Sequence, residues 1–181
     1  MPDTKTAIVT GASQGIGAGL VGAFLKNGYN VVATSLDVTH SRSHSPNLVL
    51  VDGDIDKRET AVKTVEAAIR SFGSIDVLVN NAGIFRVKPF TDFTDEDFDA
   101  LVSTNLRGFL YMTQLSVKQM LKQKSGNVVT ITAALVDQPF AGEKASVSMM
   151  TKGGLNAVTR SLAIEYAKEG YSLQRGCPGS R

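Results

Sequence analysis

Thr10-Gly11-Ala12-Ser13-Gln14-Gly15-Ile16-Gly17 is the stretch whose reading decides the fold. It follows a short apolar run, Ala7-Ile8-Val9. It precedes a helical stripe of Ile16, Leu20, Val21, Phe24 and Leu25 that closes at Gly28. Strand, glycine turn and helix in that order form the context of a diphosphate-binding turn. Glycines take backbone angles that other residues resist, and they let the chain approach a phosphate closely. The free N–H groups at the start of the helix then attract the negative charge. The spacing is Gly-x-x-x-Gly-x-Gly, at Gly11, Gly15 and Gly17, and a plain strand-to-helix turn is the alternative reading of the same residues.

Outward from that turn, strands and helices alternate. The second strand is expected at Asn30 to Thr34, then a polar loop from Ser35 to Asn47, then a third strand from Leu48 to Val51. Asp56 to Glu59 reads as a capping box opening a helix with Val62, Val65, Ile69 and Phe72 inward and Gly73 at its end. A fourth strand spans Ile75 to Val79. Thr94 to Asp97 caps one long helix reaching about Lys122, with Phe98, Leu101, Val102, Leu106, Phe109, Leu110 and Met120 on its stripe. A fifth strand spans Asn127 to Thr132. The last helix runs from about Ser146 to Ala167 with Val147, Met150, Leu155, Val158 and Leu162. This alternation predicts an α/β fold, a doubly wound parallel sheet of Rossmann type in three layers. Nearly continuous apolar strands such as Val128-Val129-Thr130-Ile131 fit burial on both faces.

The chain of 181 residues is 43% hydrophobic and 20% charged, enough for a single domain with a core. A net charge of +2 without a basic block gives no reason to expect nucleic acid. No apolar run has membrane-spanning length. Met1-Pro2-Asp3-Thr4-Lys5 leads straight into the first strand, so no signal peptide is expected, and the single cysteine, Cys177, fits a reducing cytoplasm. His40 and His44 lie in the polar loop, where a solvated surface is the expected role and no metal is expected.

A second motif, Asn80-Asn81-Ala82-Gly83, follows the apolar run Val77-Leu78-Val79. With Gly11 to Gly17, it makes the chain resemble the short-chain dehydrogenase/reductase family from about Thr4 to Gly170. The resemblance implies an oxidoreductase that moves a hydride between NAD(P)(H) and a carbonyl or alcohol substrate. It implies cofactor contacts from Gly11, Ser13, Gln14, Gly15, Ile16, Gly17, Asn81, Ala82 and Gly83. Asp54-Ile55 matches the pair that lines the adenine pocket in the family, although a strand end followed by a helix cap reads equally well. At the end of the second strand, an acid would hold the ribose 2′-hydroxyl of NAD. Ser35 occupies that place and does not repel a 2′-phosphate, so the reading leans to NADP over NAD. Asp37 lies two residues late, and Arg42 reaches the site only if its loop folds back.

Of the family's four catalytic positions, two survive. Asn105, in Ser103-Thr104-Asn105-Leu106, matches the helix asparagine, and Lys152 matches the lysine that also binds the nicotinamide ribose. Ala133 stands at the serine position, and Ser148, four residues before Lys152, stands at the tyrosine position. A phenol begins near a pKa of about 10 and can be tuned toward neutrality. A serine hydroxyl is a far weaker acid, so activity is expected to be low and Ser148 is the only hydroxyl in the tyrosine's place. Restoring Ala133→Ser and Ser148→Tyr together is expected to raise turnover. A silent NAD(P)-binding module and a defective gene product are the alternatives.

Self-association is expected from apolar residues such as Tyr111, Met112 and Leu115 on more than one face of the long helix. The tail from Tyr171 to Arg181 is polar where the family has a buried sixth strand, so the sixth and seventh strands are expected to be missing. Back-translated and read with one base skipped, Tyr171 to Gly179 can encode Ile-Arg-Phe-Asn-Ala-Val-Ala-Pro, a family-like strand. A shifted reading frame near Gly170 is therefore an expectation for the gene.

Overall fold

The structure is a computed structural model that describes residues 4–41, 45–167 and 171–176. Arg42, His44 and Cys177, singled out in the sequence, lie outside the described residues. Six strands form one parallel sheet: β1 (Thr6–Thr10), β2 (Asn30–Ser35), β3 (Leu48–Asp52), β4 (Val77–Asn80), β5 (Gly126–Ile131) and β6 (Tyr171–Gly176). Their order is β3-β2-β1-β4-β5-β6. The winding reverses between β1 and β4. In open α/β sheets such a switch point is where ligands bind.

Five α-helices flank the described sheet: α1 (Gly15–Lys26), α2 (Arg58–Phe72), α3 (Asp95–Leu101), α4 (Gly108–Gln123) and α5 (Ser146–Glu165). Side chains alternate across each strand, and this alternation builds two cores. Val9, Val31, Ala33 and Val79 face α1, where Val21 is fully buried and Leu20 and Phe24 pack beside it. Ile8, Leu78 and Val128 face the opposite way, against Ala61 and Ala68 of α2 and Met112 and Met120 of α4. Thr130 shares the face of Val128, and its hydroxyl meets that of Thr159 of α5 at 3.0 Å. The three expected layers are therefore present, with α1 on one face and α2, α4 and α5 on the other. Gln123 closes the base of β4 as a backbone mimic: it accepts from the N–H of Ile75 at 3.0 Å and donates to its carbonyl at 2.9 Å.

Four expectations need correction. Tyr171–Gly176 does form a strand, paired in parallel with β5 from Gly126↔Tyr171 to Ile131↔Gly176. The backbone groups of β5 outweigh the weak strand propensity of this polar run, because a central strand needs partners on both edges. No Asp-x-x-Glu box opens α2. Its N-cap is Lys57, without a side-chain cap, and Asp56 instead donates its N–H to Asp54 Oδ1 at 3.1 Å. The predicted long helix is divided by a π turn at Val102–Arg107, between α3 and α4. Finally, Ile16, Phe98, Leu110 and Met150, read as inward-facing, are exposed on this chain.

Candidate active site

A cleft of about 570 Å³ opens at the switch point. Its walls come from segments that follow four strands: Gly11, Ser13, Gln14 and Ile16 after β1, Ser35 to Asp37 around the end of β2, Gly53 to Ile55 after β3, and Asn81 to Ile84 after β4. Thr104 of the π turn completes it. Residues distant in sequence thus meet because all the strands point the same way.

The glycine turn has two kinds of glycine. Gly15 has φ of +55°, and a Cβ built there would meet nothing within 4 Å. That is open space at the head of α1, with room for a ligand. Gly17 is the opposite case. A Cβ there would come within 2.2 Å of the Gly11 carbonyl oxygen, so its missing side chain lets α1 press against the turn. Gly17 is buried and lies behind the turn, away from the cleft lining. Its contribution on this chain is the close packing of α1 against the turn. At the head of α1, Gln14 is the N-cap and makes no side-chain cap, and the first turn carries no acid. The helix therefore presents its positive end and its first N–H groups to the cleft. Ile16 lines the cleft at 48% exposure instead of joining the core stripe.

Asn81 holds the turn in place. Its amide donates to the carbonyls of Thr10 at 2.9 Å and Gly11 at 3.1 Å. Asn81, expected to touch the cofactor, lines the cleft and braces the turn with its amide nitrogen. Thr10 answers from the other side, its hydroxyl accepting the N–H groups of Asn81 at 3.0 Å and Ala82 at 2.9 Å. Sequence reading missed this role of Thr10, although a hydroxyl residue on the last strand position before a glycine turn was the signal available. Ser13 and Ser35 meet hydroxyl to hydroxyl at 3.0 Å, joining the glycine turn to the end of β2. Asp54 and Ile55 line the cleft as expected, and so do Ala82 and Gly83.

Beyond Gly83, Asn105 and Lys152 converge. A Cβ at Gly83 would lie 3.0 Å from Asn105 Oδ1 and 3.1 Å from Lys152 Nζ. The π turn aims Asn105 inward, as such turns often do at functional sites. Its Oδ1 accepts the Ile84 N–H at 2.8 Å, and its amide donates to the Ile84 carbonyl at 3.0 Å and to Thr151 Oγ1 at 2.9 Å. Lys152 donates to the Ile131 carbonyl at 3.1 Å and is only 8% exposed. Burial pushes its ammonium below the ordinary lysine range.

Ser148 faces the segment after β4. It is fully buried, donates to the Arg86 carbonyl at 2.8 Å and accepts the Arg86 N–H at 2.9 Å. These bonds clamp residues 84–88, which also meet the loop before α5 through Lys88 N–H to the Lys144 carbonyl at 2.8 Å. Lys144 is exposed, as is Ser146. Thr132 is buried, while Ala133 caps a short turn after β5. The Arg86 and Lys88 side chains both pair with Asp97 at the head of α3. Lys88, the Thr94 backbone N–H and Arg86 hold the Asp97 carboxyl down at about 2. Among the described residues, no three His, Cys, Asp or Glu side chains gather as a metal site, and no helix is long and apolar enough to cross a membrane.

Comparison with known proteins places this geometry. The short chain dehydrogenase family model matches residues 5–180. Oxidoreductase UcpA of Salmonella typhimurium is 34% identical over 97% of this chain and 68% of its own length. The 3-oxoacyl-(acyl-carrier-protein) reductase FabG of Staphylococcus epidermidis is 31% identical over 97% of this chain and 74% of its own. Among solved structures, ElxO with NADP bound superposes with a TM-score of 0.89 at 28% identity, covering 97% of this chain and 73% of that one. A short-chain dehydrogenase from Streptomyces avermitilis gives 0.87 at 27%, covering 98% and 66%. The chain belongs to the short-chain dehydrogenase family.

The clamp on Arg86 yields a prediction. A tyrosine at position 148 must lose both bonds and push into a fully buried site. Ser148→Tyr is expected to destabilise the fold by about 2–4 kcal/mol in urea unfolding. A variant as stable as the parent would show room for a phenol that the packing does not leave.

Proposed function

We propose that the cleft binds a nicotinamide dinucleotide, with NADP favoured, and that the protein is an oxidoreductase acting between it and a carbonyl or alcohol carbon. The observation that carries this reading is the cleft lined by Gly11, Ser13, Gln14 and Ile16 around the uncapped head of α1, with open space over Gly15. The fit is chemical: backbone N–H groups and a helix dipole for the diphosphate, Asp54 and Ile55 for the adenine end, and Lys152 at the far end for a ribose hydroxyl. The NADP bound to ElxO supports the choice, and Ser35 adds no charge against a 2′-phosphate. A bound dinucleotide of this kind supplies hydride-transfer chemistry at its nicotinamide end.

The chain's own residues set the limits of that chemistry. Asn105 fixes the Ile84 backbone at the inner end of the cleft. Lys152 carries a proton beside Gly83, and its depressed pKa makes that proton easier to release than an ordinary lysine's. Ser148 commits its one hydroxyl proton to the Arg86 carbonyl and accepts the Arg86 N–H, so it has no free proton to give a substrate oxygen. Proton supply to a substrate oxygen then falls to Lys152 or water, and turnover is slow. The same commitment of Ser148 favours a second reading, a dinucleotide-binding protein without redox turnover. Oxidation of NADPH across a broad carbonyl panel separates the two.

Gly15→Val tests the binding site. A branched side chain at φ of +55° is strained and fills the cradle. NADPH affinity measured by fluorescence titration is expected to fall about tenfold or more. Undiminished affinity would put the dinucleotide elsewhere.

A second copy of the chain is the partner we infer for the outer groove of about 290 Å³ between α4 and α5. It is lined by Phe109, Leu110, Val117, Leu121, Val158 and Leu162, with Leu110 53% exposed, and an isologous pairing of two such faces would cover them. Sedimentation should show a dimer or larger species that Leu110→Glu shifts toward monomer. A parent that stays monomeric at micromolar concentration contradicts the inference.

A further inference from the structure

The far wall of the cleft, at the ends of β2 and β3, carries a charge arrangement that the glycine turn does not explain. Asp37 lines the cleft with Ser35, Leu36 and Asp54. Its Oδ1 lies 2.7 Å from His40 Nδ1, one turn along the same loop. The loop is pinned independently of that pair. Asp52, the last residue of β3, accepts the N–H groups of Val38 at 2.6 Å and Thr39 at 3.0 Å and the hydroxyl of Thr39 at 2.5 Å. Asp37 and His40 are therefore held at the cleft edge whatever the charge on the imidazole. Among the described residues, the cleft lining includes two acids, Asp37 and Asp54, and no Lys or Arg.

Resting on the dinucleotide reading above, we propose that the His40–Asp37 pair makes the choice between phosphorylated and unphosphorylated dinucleotides depend on pH. With His40 protonated, the pair is neutral overall, and the wall tolerates a 2′-phosphate. With His40 neutral, Asp37 stands as an uncompensated carboxylate. It then repels the 2′-phosphate, while it can still accept a hydrogen bond from a ribose 2′-hydroxyl. Among the described residues, the charged groups that face His40 are Asp37 on its own loop and Asp52 from β3, both of which favour its charged form. The hydrogen bond that the His40 N–H donates to the Asp37 carboxylate raises the imidazole above its ordinary value.

The sign follows directly. As pH rises through the His40 titration, the wall loses one positive charge, so affinity for NADP falls relative to affinity for NAD. The 2′-phosphate itself titrates near a pKa of about 6, which adds its own slope in the same window. The ligand's slope is present in every variant, so the protein's share is the difference between the parent and a variant that cannot protonate at position 40.

Calorimetric titration of NADP and NAD from pH of about 5.5 to about 8 tests the proposal in the parent, His40→Gln and Asp37→Asn. Glutamine still bonds Asp37 and leaves the Asp52 anchor intact. At the acid end the parent is expected to hold NADP about threefold tighter than His40→Gln, the scale of one exposed ion pair, and the two should converge at the alkaline end. Asp37→Asn should bind NADP better than the parent at alkaline pH, where the parent's carboxylate is uncompensated. If parent and His40→Gln show the same NADP-to-NAD ratio throughout, with both dinucleotides bound, the proposal is overturned while the cofactor site stands. If the parent binds neither dinucleotide, the cofactor reading fails and the proposal fails with it.

Discussion

The Thr10–Asn81 brace is the contact on which the rest of the site depends. β1 and β4 are neighbours in the sheet, but beyond their ends the chain turns opposite ways, into α1 and toward residues 84–88. Something must hold the two turns together across the gap. The Thr10 hydroxyl does so with the Asn81 and Ala82 N–H groups, and the Asn81 amide does so with the Thr10 and Gly11 carbonyls. These groups are buried or half-buried, where an unpaired amide or carbonyl costs about 1–3 kcal/mol. Each bond therefore fixes geometry more than it adds stability. The turn that presents N–H groups to the cleft is held by the motif that forms the opposite wall.

A second set of bonds carries that fixation to the reactive end. Asn105 locks Ile84 from the π turn, and Ser148 locks Arg86 from α5. Residues 84–88 become a strap tied at both ends, with Arg86 and Lys88 turned outward to Asp97. The consequence for chemistry is direct. A hydroxyl that holds a backbone at 2.8 and 2.9 Å is structural, and Ser148 at the tyrosine position serves as a clamp. The site keeps Asn105 and Lys152 beside Gly83, and Ser148 in place of a phenol has its proton committed to Arg86.

Much of this was legible in the sequence because it rests on local rules. Alternating apolar strands and helical stripes fixed the parallel layers, and the glycine spacing with Asn80-Asn81-Ala82-Gly83 located the cleft at the switch point. What was not legible depends on tertiary context. The two jobs of the glycines, an open cradle at Gly15 and a close approach at Gly17, differ only in what lies next to them. That the Asn81 amide also braces the turn, through Thr10 and Gly11, leaves no trace in the sequence. Ile16 fits a helical stripe by spacing, yet it sits in the first turn, over the cleft. The π turn at Val102–Arg107 leaves no pattern in composition, and the run Tyr171-Ser172-Leu173-Gln174-Arg175-Gly176 becomes a strand only because β5 offers it an edge.

The central claim is that the braced turn at the head of α1 receives the dinucleotide diphosphate. Amide hydrogen exchange with and without saturating NADPH tests it most directly. The account predicts added protection at Ser13 to Ile16 and at Ala82 to Ile84, with the outer faces of α4 and α5 unchanged. Protection confined to other segments, with the glycine turn exchanging as it does in the free protein, would contradict it.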